Sequence, residues 1–222
     1  MASQALIKDF EDLIGKENVF TSEADRQSYS YDSAVLEPVV PAMVLRPTTT
    51  EQLGLCVKKL YDNGIPMTVR GAGTNLSGGT IPDHSDTVVV LTTGLNRILE
   101  INPNDLYAVV EPGVITADFA AAVAKKNLFY PPDPGSQAVS TIGGNIAENA
   151  GGLRGLKYGV TMDYLLGVEF FDATGEVVKT GSRTVKCVTG YNLAGMLIQS
   201  EGTLGVISQA ILKLVPPPTA SK

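Results

Sequence analysis

A glycine-rich run follows a short apolar segment near residue 70 and limits what this chain can fold into. Residues 65–69 (Ile-Pro-Met-Thr-Val) predict a strand, and residues 71–80 (Gly-Ala-Gly-Thr-Asn-Leu-Ser-Gly-Gly-Thr) form a glycine loop directly after it. Glycine and alanine leave the backbone open to close approach, and bare N–H groups in turns form concave sites for anions. We therefore predict a phosphate or pyrophosphate beside this loop, where a side chain added at Gly73 would take its place.

Two further glycine clusters occur along the chain. Residues 141–152 contain two glycine pairs with asparagines and a glutamate between them, and residues 200–207 contain Gly202 and Gly205. Small residues mixed with hydrogen-bonding side chains favour the wall of a binding site, although the glycine pairs could equally end a short helix. Three such segments together indicate one large ligand that carries phosphate.

The glycine loop matches none of the common nucleotide-binding motifs. Gly71 and Gly73 match the first two glycines of the dinucleotide fingerprint, but Leu76 stands at the third position and no helical pattern follows. Gly73 and Gly78 have the spacing of a P-loop, but Gly79 stands where that motif has lysine. A protein-kinase loop fails on the same spacing, and the chain has no His-Arg-Asp motif. A tight turn that needs glycine for geometry alone is the alternative interpretation.

Charge and composition exclude several classes of protein. A net charge of −6 argues against binding to nucleic acid or to a membrane surface. The sequence has no apolar run long enough to span a membrane, and its N-terminus lacks a signal-peptide pattern. Cys56 and Cys187 predict reduced core residues of a cytoplasmic protein, and the single histidine, His84, predicts an exposed loop position. We therefore expect neither a metal site nor a histidine-based hydrolase triad.

Hydrophobic periodicity predicts an α+β fold with two lobes. The second lobe contains predicted hairpins within residues 98–111 and 166–180, a helix from an N-cap at Thr116 to Asn127, and strand material at 206–214. The expected parts of the chain are an N-terminal helical segment at 1–37, a first lobe with a β–α–β unit at 38–92, a second lobe at 93–216, and a tail or truncation edge at 217–222.

Taken in order, the glycine clusters resemble a known flavoprotein family. The matching segments are 70–74, 132–136, 141–145, 149–152, 157–159, 186–191 and 200–206, and the likeness extends from about residue 38 to residue 216. The chain is similar to the FAD-binding domain of the vanillyl-alcohol oxidase and p-cresol methylhydroxylase superfamily. Within it, the chain most resembles the FAD-linked subunit of glycolate oxidase and its D-lactate dehydrogenase relatives.

The resemblance implies a set of residues that contact FAD. It places the pyrophosphate on the glycine loop and the flavin towards Pro132, Ser136 and the Gly143-Gly144 turn. The adenine end is expected towards Val206 and Ile207. Because Thr74 stands where some relatives attach FAD through histidine, it implies non-covalent FAD. The expected cofactor-binding residues are Arg70, Gly71, Ala72, Gly73, Thr74, Asn75, Gly78, Gly79, Thr80, Pro132, Gly135, Ser136, Thr141, Gly143, Gly144, Asn145, Asn149, Gly151, Gly152, Tyr158, Gly159, Glu201, Gly202, Val206 and Ile207.

The resemblance also implies an activity that this chain alone does not complete. It implies the FAD portion of an oxidoreductase that transfers hydride from the α-carbon of glycolate, D-lactate or another D-2-hydroxy acid. D-2-hydroxyglutarate or an ether-lipid precursor is an open substrate alternative. The family's second half binds the substrate and follows this domain, so we expect the chain alone to bind flavin with little turnover. We assign no catalytic base.

An iron–sulfur electron-transfer subunit is an expected partner, and the expected location is cytoplasmic or membrane-peripheral. The alternative is a stand-alone flavin- or nucleotide-binding module without catalysis.

Overall fold

A computed structural model describes residues 3–220 of the chain. The helices are α1 (Gln4–Ile14), α2 (Glu23–Gln27), α3 (Thr50–Asp62), α4 (Thr116–Ala124), α5 (Ile142–Glu148), α6 (Gly155–Tyr158) and α7 (Leu193–Leu197). The strands are β1 (Val19–Phe20), β2 (Met43–Leu45), β3 (Met67–Arg70), β4 (Val88–Leu91), β5 (Ile98–Asn102), β6 (Tyr107–Val110), β7 (Leu165–Phe171), β8 (Val177–Gly181) and β9 (Val206–Lys213). The fold is α+β, as predicted, with its strands in two sheets.

The first sheet has the order β1-β2-β4-β3. Strands β2 and β3 both run parallel to β4, so that Met43 and Met67 both pair with Val88, whereas β1 is antiparallel to β2. Helix α3 connects β2 to β3, and the glycine loop lies in the helix-free connection from β3 to β4. The carboxyl ends of parallel strands share one edge of a sheet, where α/β proteins commonly bind ligands. The glycine loop leaves β3 at that edge.

Helix α3 covers the first sheet, and its ends follow local sequence signals. The Thr49 hydroxyl caps the helix by accepting a hydrogen bond from the Gln52 N–H at 3.2 Å, and Gly64 follows the helix with φ +62°. Leu53, Val57 and Leu60 lie on one helical face and are fully buried. Each such side chain stabilises the fold by about 1.5–3 kcal/mol.

The second sheet is antiparallel and has the order β5-β6-β9-β7-β8. Strands β5–β6 and β7–β8 are the two predicted hairpins, and β9 lies between them. Phe119 of α4 and Ile142 and Ile146 of α5 share one core with Leu212 of β9. This core fixes α5 on the sheet, and α5 carries the second glycine cluster.

Three local predictions were wrong. The N-cap of α4 is Ile115 rather than Thr116, and α4 ends at Ala124, before Asn127. The Thr116 hydroxyl is buried and bonds instead to the Ser140 carbonyl oxygen at 3.0 Å. Cys187 is exposed, while Cys56 is buried as predicted. His84 is exposed, as predicted.

Neither a membrane-spanning helix nor a cluster of metal-binding side chains occurs in the part of the chain that the structure describes. Within residues 3–220, none of the helices has the length and apolarity needed to cross a bilayer. The same residues contain no group of three histidine, cysteine or acidic side chains arranged to hold a metal ion.

Candidate functional site

A cavity of about 320 Å³, here called the main cavity, brings the three glycine clusters together. Its size falls at the lower end of the roughly 300–1,000 Å³ typical of ligand sites. The glycine loop, helix α5 and the turn before β9 form its walls. It is lined by Val69, Gly71, Ala72, Gly73, Thr74, Asn75, Leu76, Thr80, Thr92, Pro112, Ser136, Thr141, Gly143, Gly144, Asn145, Ala147, Glu148, Ala150, Glu201, Gly202, Gly205 and Ile207.

The glycine loop presents unused backbone donors at this cavity. Within residues 3–220, no backbone N–H group of residues 72–80 donates a hydrogen bond to a protein acceptor. Gly73 and Gly78 have φ of +70° and +85°, which only glycine adopts without strain. Donors that the protein leaves unpaired are available to an anion.

Arg70 lies beneath the glycine loop rather than in the main cavity. Its Nη1 donates to the Tyr31 carbonyl oxygen at 2.7 Å, and its guanidinium stands over the Tyr29 ring at 5.7 Å. Burial lowers the pKa of Arg70, and the nearby Asp32 carboxylate opposes that shift. A Cβ added at Gly73 would meet this guanidinium. That it would also fill the place of a phosphate stays a prediction.

Helix α5 supplies the opposite wall, but its own first N–H groups are already used. The Gly143 N–H donates to the Pro112 carbonyl oxygen at 2.8 Å, and the Gly144 N–H donates to the Thr141 hydroxyl at 3.2 Å. A Cβ at Gly143 would lie 2.7 Å from the Pro112 Cβ, so close packing requires glycine there. The Asn145 Nδ2 donates to the buried Thr116 hydroxyl at 2.7 Å, which fixes α5 from within.

Two carboxylates face the cavity among these small residues. Burial raises the pKa of Glu148, and the neighbouring carboxylate of Glu201 raises it further. The Ser77 hydroxyl donates to Glu148 at 3.3 Å, which connects the glycine loop to α5 across the cavity. A Cβ at Gly79 would lie 2.6 Å from the Glu201 carboxylate. Among the residues that the structure describes, those that line the cavity include two glutamates but no lysine, arginine or histidine, and the N–H groups of the glycine loop are unpaired donors beside it.

The structure brings together many of the sequence-predicted site residues. Those lining the cavity are Gly71, Ala72, Gly73, Thr74, Asn75, Thr80, Ser136, Thr141, Gly143, Gly144, Asn145, Glu201, Gly202 and Ile207. Those outside its lining are Arg70, Gly78, Gly79, Pro132, Gly135, Asn149, Gly151, Gly152, Tyr158, Gly159 and Val206. Their contact with FAD stays a prediction.

Some residues outside the lining have clear structural contacts. The Tyr158 ring packs edge-on against Phe129, with the ring centroids 5.6 Å apart. Val206 is buried in a core with Phe171. Sequence reasoning did not single out Thr92 or Pro112, which line the cavity because the fold brings the end of β4 and the segment after β6 to it. Nothing in their local sequence indicates this position.

Comparison with known proteins identifies the family. A family model described as an FAD binding domain matches residues 41–181, more than half of the chain. Glycolate oxidase subunit GlcD of Bacillus subtilis is 48% identical over 208 residues, which are 94% of this chain and 44% of that protein. D-lactate dehydrogenase of Anaerostipes hadrus is 36% identical over 96% of this chain and 44% of that protein. The chain thus spans less than half the length of these relatives.

A solved structure supports the same assignment. The structure of 4-ethylphenol oxidase from Gulosibacter chungangensis matches with a TM-score of 0.82 and 28% identity, over 96% of this chain and 43% of that one. This chain, with its two sheets, therefore shares its fold with part of that oxidase. The chain belongs to the FAD-binding domain family, and FAD is its cofactor.

Proposed function

We propose that the main cavity holds FAD without a covalent bond and that the glycine loop binds its pyrophosphate. The observation that carries this proposal is the row of unused N–H donors on residues 72–80. A pyrophosphate supplies several acceptor oxygens to such a row without requiring a lysine or arginine at the cavity wall. Thr74 offers no histidine for attachment, which supports non-covalent binding.

The shape of the cavity fits the same proposal. A Cβ at Gly71 would lie 2.5 Å from the Thr141 hydroxyl, so the bare loop packs directly against the start of α5. Larger residues at these contacts would close the space between the two walls. Ser136, Gly144 and Ile207 all line the cavity, so residues expected near the flavin and near the adenine both lie at its wall.

We further propose that the whole protein oxidises a D-2-hydroxy acid. The relatives named glycolate oxidase and D-lactate dehydrogenase support this substrate class. Bound FAD supplies an acceptor for the two electrons that leave when the acid becomes a 2-oxo acid. In this chain, residues 72–80 bind the pyrophosphate, and helix α5 forms the wall that orients the cofactor. The groups that bind the acid are assigned to the part of the whole protein that lies outside this FAD-binding portion.

The name of one relative also supports a multi-subunit assembly. The Bacillus subtilis protein is named as a subunit of glycolate oxidase. We therefore propose that the whole protein works with other subunits, one of them an iron–sulfur protein that receives electrons. Co-purification of the full-length protein followed by iron and sulfide analysis tests this assignment, and an active assembly without iron would contradict it.

Filling the cavity tests where FAD binds. Ala147 of α5 lines the cavity, and Ala121 of α4 is an exposed helical position away from it. We expect Ala147→Phe to abolish FAD binding in a fluorescence titration and Ala121→Phe to bind FAD as the unchanged chain does. Both variants should unfold near the normal temperature. Full FAD binding by Ala147→Phe would overturn the proposed site.

The visible spectrum tests the mode of binding. Flavin absorption bands that move to the supernatant after acid precipitation of the chain would support non-covalent binding. Bands that stay with the precipitate would contradict it.

A further inference from the structure

A segment from the N-terminal part of the chain packs against the glycine loop. This segment, residues 31–36, is called the strap. The Tyr31 carbonyl oxygen accepts from Arg70, and the Ser33 hydroxyl donates to the Gly73 carbonyl oxygen at 3.4 Å. A Cβ at Gly78 would meet the Leu36 side chain. The strap therefore contacts the loop at both of its positive-φ glycines.

Asp32 makes the most extensive contacts of the strap. Asp32 is buried, with only 8% of its surface exposed. One carboxylate oxygen accepts from the Ala34 N–H at 2.7 Å, which fixes the carboxylate on the strap itself. The other oxygen accepts from the Asn75 side-chain amide and lies 3.3 Å from the Thr80 hydroxyl. A single buried carboxylate thus reaches two residues of the loop.

These contacts join the two ends of the most exposed part of the loop. The Thr80 hydroxyl also lies 3.1 Å from the Asn75 side-chain oxygen and accepts from the Arg70 Nη1 at 3.2 Å. Thr80 has one hydroxyl proton for the two acceptors, Asp32 and Asn75, so the amide of Asn75 is the fixed donor to Asp32. The network closes residues 75–80 into a ring through side chains.

The loop needs such a constraint because its own sequence does not provide one. Glycine-rich backbone loses much conformational entropy when it is ordered, and unpaired N–H groups bind an anion well only when they already point towards it. Asp32 brings negative charge near an anion site, which on electrostatic grounds disfavours binding. Its link to Arg70 through Thr80 places a cation on the same network. Geometry, not charge, is therefore what Asp32 contributes.

We propose that Asp32 is a positioning residue for FAD, which acts through Asn75 and Thr80 to hold the glycine loop in its pyrophosphate-binding shape. The inference rests on the proposed function, because it assumes that residues 72–80 bind the pyrophosphate. It assigns a cofactor-binding role to the N-terminal segment, which supplies none of the main cavity's lining.

The test measures FAD dissociation constants and apoprotein stability for matched variants. Asp32→Asn keeps the size of the side chain but removes its charge and one acceptor. Asp83→Asn makes the same change at an exposed loop position. Because a released loop must be ordered again when FAD binds, we expect Asp32→Asn to weaken FAD binding about 10- to 100-fold. Asp83→Asn should leave FAD binding unchanged, and the apoproteins should melt within about 4 °C of the unchanged chain.

A double-mutant cycle separates positioning from a general loss of structure. If Asp32 acts through Asn75, then Asp32→Ala and Asn75→Ala together should weaken FAD binding no more than the stronger single variant does. Additive losses, or a loss of affinity that follows apoprotein melting, would overturn the inference.

The remaining outcomes distinguish the inference from the site on which it rests. Normal FAD affinity in Asp32→Asn, with binding abolished in Ala147→Phe, would overturn the role of Asp32 and leave the proposed site standing. Normal affinity in both variants would overturn the site and the inference together.

Discussion

Replacing Gly73 with alanine is the sharpest test of the glycine loop, because two separate costs can be read from the structure. Gly73 has φ +70°, and alanine in that conformation costs about 1–2 kcal/mol. The new Cβ also meets the Arg70 guanidinium, whose Nη1 donates to Tyr31. Displacing this charged hydrogen bond costs about 1.5–3 kcal/mol. Their sum is about 2.5–5 kcal/mol, which lowers the melting temperature by roughly 5–20 °C in a chain of this size.

Two other glycines serve as matched controls for these costs. Gly64 has φ +62° with no atom within 4 Å of an added Cβ, so Gly64→Ala carries the strain alone. Gly135 has open space and no positive φ, so Gly135→Ala should leave stability unchanged. Thermal unfolding of the three apoproteins by circular dichroism should rank Gly73→Ala below Gly64→Ala and Gly64→Ala below Gly135→Ala. Equal melting temperatures for Gly73→Ala and Gly64→Ala would refute the contact with Arg70.

Three further predictions follow from buried or exposed groups. Tyr130 is buried and none of the groups within residues 3–220 has good hydrogen-bond geometry with its hydroxyl, so Tyr130→Phe should stabilise the chain by about 1 kcal/mol in a denaturant titration. Destabilisation would show instead that the neighbouring Thr161 side chain pairs with this hydroxyl. Burial and the Glu201 carboxylate raise the pKa of Glu148, so the folded chain favours the protonated form of Glu148 over the ionised form. The fold is therefore more stable at low pH, and it loses this stability as the pH rises from 4.5 through the raised pKa. Glu148→Gln should remove that loss and tighten FAD binding at pH 7 roughly two- to fivefold, whereas a pH profile like that of the unchanged chain would contradict it. Burial raises the pKa of Cys56 to about 12 while Cys187 is exposed, so a thiol reagent followed by mass spectrometry should label Cys187 alone in the native chain.

The sequence predicts the parts of this fold that depend on neighbouring residues. Turn residues and alternating apolar residues indicate the hairpins β5–β6 and β7–β8, and the threonine cap indicates the start of α3. The glycine loop is also a local signal, because it follows β3 directly. The order of these signals along the chain was enough to identify the family.

Contacts between distant residues could not be predicted in this way. Strand β1 has two residues and pairs Val19 with Leu45, a partner that no local pattern specifies. Asp32 and Asn75 are 43 residues apart, and neither sequence context indicates the other. Thr116 has the side chain of a helix cap, but its hydroxyl forms a hydrogen bond with the buried Ser140 hydroxyl instead. Tertiary hydrogen bonds of this kind override local propensity.

The position of β9 makes completion of the second sheet a late event in synthesis. All four strands of the first sheet lie before residue 92, so they can pair while the rest of the chain is still being translated, and Phe171 and Val206 join their core later. The hairpins β5–β6 and β7–β8 must wait as separate two-stranded units, which are marginal alone, until Val206–Lys213 leaves the ribosome and joins them. Ile207 of the same strand lines the main cavity. A chain interrupted in β9 would therefore lack part of the cavity wall, and retention of the yellow flavin would report that translation had passed this strand.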